Sequence, residues 1–67
     1  MSDEQRPAEV GDLVRDLARG VEAVVTDVRD GVLLLRRRYG GGLFPEPWAA
    51  TDGAVRILAR RGAWDRP

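Results

Sequence analysis

The sequence predicts a single small all-β domain, and three observations point there. Two valine- and leucine-rich runs flank Asp30-Gly31, a pair whose tolerance of positive φ suits a two-residue type I′ hairpin turn. Turn-forming residues at Gly20, Gly40 to Gly42, Pro45, Pro47 and Thr51-Asp52-Gly53 cut the remaining chain into short pieces. The chain has 67 residues, 43% of them hydrophobic, and so short a chain buries only about 60% of its unfolded surface. One core is all it can build.

The elements are read in order. Residues 1–8 are polar and charged, with Pro7 disfavouring a helix before it, so they are expected to form a mobile tail that packs against nothing. The ordered domain is expected over residues 9–59. Val10, Leu13, Val14 and Leu17 fall at i, i+3, i+4 and i+7, the spacing of an amphipathic helix ending at Gly20. Against a helix stands Gly11, which costs about 1 kcal/mol relative to alanine. The alternative is a short strand over 12–16 with a turn at 17–20, and spacing alone leaves both readings open.

The hairpin spans residues 21–38. With Asp30-Gly31 as its loop, Arg29 is expected opposite Val32, Val28 opposite Leu33, Thr26 opposite Leu35 and Val24 opposite Arg37. One face then carries Val24, Thr26, Val28, Leu33 and Leu35, and this face is expected to be core. The other carries Val25, Asp27, Arg29, Val32, Leu34, Arg36 and Arg38. Gly40 to Gly42 end the second hairpin strand. Phe44-Pro45-Glu46-Pro47-Trp48 is restricted by its prolines to a sheet edge or an extended loop, and each Xaa-Pro bond is open to the cis isomer. After the turn at Thr51-Asp52-Gly53, Val55-Arg56-Ile57-Leu58 reads as a last strand, with a short helix over 54–61 as its competitor. Residues 60–67 read as a second flexible tail carrying Trp64.

The run Val10-Gly11-Asp12-Leu13-Val14, with Val24-Val25, Asp30-Gly31, Leu33, Leu35-Arg36, Gly40-Gly41-Gly42 and Trp48, resembles small uncharacterised actinobacterial proteins with an SH3-like barrel. The likeness covers roughly residues 10–58. It departs at Arg37, where that pattern has proline, and at residues 43–47, where the link to the tryptophan is longer. The resemblance implies a five-stranded barrel with a brief 3₁₀ turn before the last strand, near residues 50–54, and it favours a strand for the first segment. It implies little about function, because one barrel serves many roles.

The sequence excludes several chemistries. Cysteine and histidine are absent, so neither a disulfide framework nor the usual zinc ligands exist, and no metal or cofactor is expected. The only serine is Ser2 and there is no lysine, which removes the common nucleophile and base pairings. Asp12, Asp16, Glu22 and Asp27 are carboxylates on a domain too small for a water-excluding cleft, so no catalytic residue is assigned. The triple glycine lacks the lysine and the serine or threonine of a phosphate-cradling loop. No apolar run approaches the roughly 18 residues that span a bilayer, and the start Met1-Ser2-Asp3-Glu4 is the reverse of a signal-peptide opening, so a cytoplasmic location is expected.

What remains is recognition. The formal net charge is zero, yet residues 1–30 hold four arginines and eight acids, and residues 31–67 hold seven arginines and three acids. Tyr39, Phe44, Pro45, Pro47 and Trp48 lie in one short window, and aromatic grooves of this kind receive extended proline-rich peptides. The sequence therefore points to a non-catalytic module that binds a protein partner through this window. The plainer reading has Trp48 covering one end of the barrel core and Phe44 packed under the loop over residues 40–47. A second candidate is nucleic acid, with Arg36, Arg38, Arg60 and Arg61 on phosphates and Tyr39 or Trp64 stacking. A third is self-association into a homodimer, which exposed aromatics or the split of charge would favour.

Overall fold

A computed structural model describes residues 7–38 and 46–64. Five strands, β1 (Leu13–Asp16), β2 (Val21–Arg29), β3 (Val32–Arg37), β4 (Trp48–Thr51) and β5 (Val55–Ala59), form one sheet in the order β4-β3-β2-β1-β5. Every neighbouring pair is antiparallel. A 3₁₀ turn at Asp52–Ala54 joins the edge strands β4 and β5. The class is all-β, as expected, and the two segments with a competing helical reading are both strands.

The first segment shows why helical spacing fails here. Val14 is fully buried, whereas Val10 and Leu17, its partners on the would-be helical face, are 47% and 53% exposed. Gly11 and Gly20 bracket β1 with φ of 94° and 68°, which a right-handed helix does not contain. Their backbone N–H groups are satisfied elsewhere: Gly11 donates to the Val25 carbonyl at 2.8 Å and Gly20 to the Asp16 carbonyl at 2.7 Å.

In the hairpin, Asp30 and Gly31 both have positive φ, 52° and 79°, as a type I′ turn requires. Arg29 faces Val32 and Val28 faces Leu33, as expected. Beyond that the expected register fails. A bulge between Val25 and Asp27 leaves Thr26 without an opposite residue, so Leu35 pairs with Val25 and Arg36 with Val24. An extra residue in one strand moves every later side chain to the other face. Ala23 and Val25 therefore join Leu33 and Leu35 in the core, while Val24 is half-buried and Thr26 and Val28 are exposed. The Thr26 hydroxyl, at the bulge, donates to the Leu34 carbonyl at 3.0 Å.

The core is Val14, Ala23, Val25, Leu33, Leu35 and Trp48, closed by Ala8 and flanked by Val21, Ala50, Val55 and Ile57. Ala8 corrects the expected tail boundary: only 2% exposed, it packs into the core, and its N–H donates to Asp52 Oδ1 at 2.9 Å. The other boundary also moves. Arg60, Arg61 and Trp64 are all hydrogen-bonded to the segment around Gly11 and Asp12.

Gly11 and Gly31 provide a paired test of this packing. Alanine at either position adopts a left-handed conformation costing about 1–2 kcal/mol. At Gly31 an added Cβ meets nothing within 4 Å, whereas at Gly11 it sits 2.8 Å from Cδ and 3.2 Å from Cβ of Arg61. Gly11→Ala is therefore expected to lower the melting temperature more than Gly31→Ala. Equal shifts would mean that residues around Arg61 do not pack on Gly11.

Candidate functional site

Two carboxylates sit inside the fold. Asp12 and Asp16 are 2% and 1% exposed and lie on the Val14 side of β1 by strand alternation. Asp12 accepts the Glu9 N–H at 2.9 Å, the Arg61 N–H at 2.9 Å and Nη1 of Arg60 at 2.8 Å. Asp16 accepts the Arg19 N–H at 3.0 Å and Nε1–H of Trp48 at 2.7 Å. Burial by itself raises each carboxyl pKa. The hydrogen bonds from Glu9, Arg61 and Arg60 at Asp12, and from Arg19 and Trp48 at Asp16, outweigh it, and both lie below the ordinary value of 3.8. These acids are held ionised and fully engaged, which is the state of a structural clamp and not of a general acid.

Their titration has a definite sign. A carboxyl whose folded pKa is depressed contributes stability that is complete above the unfolded value and is lost as pH falls through the folded one. Stability measured by chemical denaturation is expected to decline below about pH 4, where unfolded carboxylates begin to bind protons that Asp12 and Asp16 in the fold refuse. A profile that stayed flat from neutral pH to pH 2 would contradict the two clamps.

The surface feature that collects predicted residues is an open depression of about 340 Å³ lined by Thr26, Arg36, Glu46 and Pro47. Three local features build it. The bulge turns Thr26 outward, alternation along β3 sends Arg36 to the face opposite Leu35, and Glu46 Oε2 accepts the Arg37 N–H at 2.8 Å, fastening the approach to β4. The Glu46–Pro47 peptide bond is cis. Of the residues expected to meet a protein partner, Pro47 is exposed and lines the depression. Trp48 is 7% exposed, with its indole N–H on Asp16 and the Arg19 guanidinium 5.5 Å above its ring. It is a core residue, as the plainer reading held. Tyr39, Phe44 and Pro45 lie outside the described residues. Thr26 was missed because it was assigned to the core face, and Glu46 because nothing in the sequence marks it.

The arginines expected to meet phosphate are dispersed. Arg36 is exposed. Arg38 pairs with Glu22 Oε1 at 2.8 Å and lies 5.6 Å from the Trp64 ring centre. Arg60 is committed to Asp12 and to the Pro7 carbonyl, and Arg61 anchors through its backbone N–H while its side chain lies over Gly11. Trp64 is half-buried and donates Nε1–H to the Gly11 carbonyl at 3.0 Å. Among the described residues no group of His, Cys, Asp and Glu is arranged to hold a metal ion, and no helix is long and apolar enough to cross a membrane. Comparison with protein-family models, curated proteins and solved structures finds no match for this chain.

Proposed function

We propose that this chain is an SH3-like small barrel acting as a non-catalytic interaction module in the cytoplasm, and that it receives an extended segment of a protein partner at the depression beside the β2 bulge. The strand order and the 3₁₀ turn before the last strand are consistent with the barrel reading. The observation that supports the binding reading is the depression itself. It joins exposed Pro47 to the hydroxyl-bearing bulge and to one residue of each charge, Arg36 and Glu46, and an apolar wall with a few convergent polar groups is the usual make-up of a binding site.

The test is an NMR titration of the ¹⁵N-labelled full chain with proline-rich peptides of varied flanking residues. Amide shifts that saturate at Thr26, Arg36 and Glu46 are expected. No shift with any peptide, or shifts confined to the β1–β5 side of the sheet, would overturn this placement. The affinity is expected to change little with salt, since burial of apolar surface dominates such contacts.

A further inference from the structure

The pairing of β1 creates a charge arrangement that the fold does not neutralise. Arg15 is directly opposite Arg56 on β5 and opposite Glu22 on β2. Paired residues project from the same face, and like charges directly opposite destabilise a sheet. Glu22 Oε1 pairs with Arg38 at 2.8 Å, and among the described residues Glu22 makes no ion pair with Arg15. The same outer face carries Arg29, Arg36 and Arg38 from β2 and β3, and its other acid, Asp27, is bound by Arg29 at 2.8 Å. Among the described residues five arginines thus share this face with Asp27 and Glu22, which pair with Arg29 and Arg38, and Glu46 stands beside Arg36 at the depression with its Oε2 on the Arg37 N–H. Arg15, Arg36 and Arg56 are exposed, and among the described residues their guanidinium groups make no ion pair or hydrogen bond. A chain with no net charge carries a sheet face that is locally cationic.

The dimensions select the kind of anion. From β5 through β1 and β2 to β3 is three inter-strand steps of about 4.8 Å each, roughly 14 Å across the sheet. One small anion fits between Arg15 and Arg56 but does not reach Arg36, so a ligand that satisfies all three repeats its charge along its length. Arg15 and Arg36 lie on β1 and β3, whose backbone groups are paired on both sides, and Arg56 projects from the same face on the edge strand β5. A polypeptide adding as a strand would dock along the β5 edge and leave Arg15 and Arg36 uncovered, whereas a phosphate backbone that crosses the face meets the guanidinium forks of all three. Trp64, half-buried beside Arg38, gives an aromatic surface at the border of the patch.

We propose that the outer face of the sheet binds the phosphate backbone of single-stranded nucleic acid, with Arg15 and Arg56 gripping one phosphate and Arg36 another farther along the strand. This surface does not depend on the protein-binding depression, which it adjoins only at Arg36. The test is fluorescence anisotropy of a labelled oligothymidine with the full chain over about 50 to 200 mM salt, where each phosphate contact to a single strand contributes about 0.7 to the slope of log affinity against log salt. Two phosphates give a slope near −1.4. Arg15→Gln/Arg56→Gln is expected to flatten it by about 0.7 and Arg36→Gln by about 0.7, while Arg29→Gln leaves it unchanged. The double variant removes a repulsion, so its melting temperature is expected to hold or rise. Absence of binding at the lowest salt, or an unchanged slope in the double variant, would overturn the proposal. So would displacement of the oligonucleotide by an equal charge of poly-glutamate, which would assign the face to acidic polypeptide.

Discussion

Leu35→Ala is expected to remove about 2–5 kcal/mol of folding free energy and to leave the chain largely unfolded at room temperature. Leu35 has no exposed surface and is the middle of a cross-strand row, facing Val25 on β2 and Trp48 on β4. Truncation takes contacts from both neighbours at once, and the backbone ladder on either side keeps them from closing the gap. A domain of this length has roughly 3–5 kcal/mol to spend. Arg36→Ala, one residue on and pointing outward, is expected to change stability by no more than about 0.5 kcal/mol. Urea denaturation followed by tryptophan fluorescence reads both, and an unchanged midpoint for Leu35→Ala would show that the core lies on the other side of β3.

That pair of residues also shows which parts of the fold were legible in the sequence. The turn at Asp30-Gly31 was readable because its backbone conformation admits few residue types, and the first two pairs outward follow by counting. Counting then assumes an unbroken ladder. The bulge at Thr26 breaks it, and no local signal marks the site, since threonine is an ordinary strand residue. Leu33 and Leu35 were placed correctly because they lie on the unbulged strand, and Val28 shares their face opposite Leu33 although it is exposed; Val24 and Thr26 were placed with them, and Ala23 and Val25 were not. At the depression, Arg36 and Pro47 were named from the sequence. Its existence was not foreseen, because it depends on that same bulge. Arg15 and Arg56 were overlooked as a pair for a different reason. Only the long-range register of β1 against β5 brings them together, and the offset at Leu13/Val14 makes that register uncountable from either end.

The buried acids were the other failure of reading, and Asp12 gives the second large expected effect. Asp12→Leu is expected to cost about 3–5 kcal/mol, the penalty for breaking a buried pair from one side. The carboxylate binds both ends of the domain, taking the Glu9 N–H before β1 and the Arg60 guanidinium and Arg61 N–H after β5. With side-chain exposures of 3% for Asp12 and 19% for Arg60, salt screens the pair poorly, so the loss is expected to be nearly the same in high salt. Replacing Arg60 as well distinguishes a lost attraction from a stranded charge: Asp12→Leu/Arg60→Leu is expected to be more stable than Asp12→Leu alone, because the double variant no longer keeps a partly buried guanidinium without its carboxylate. Denaturation curves of the two variants and of Arg60→Leu complete the cycle. If the cost of the double variant equalled the sum of the two single costs, the ion pair would add nothing and the Asp12 contribution would come from its two backbone N–H partners.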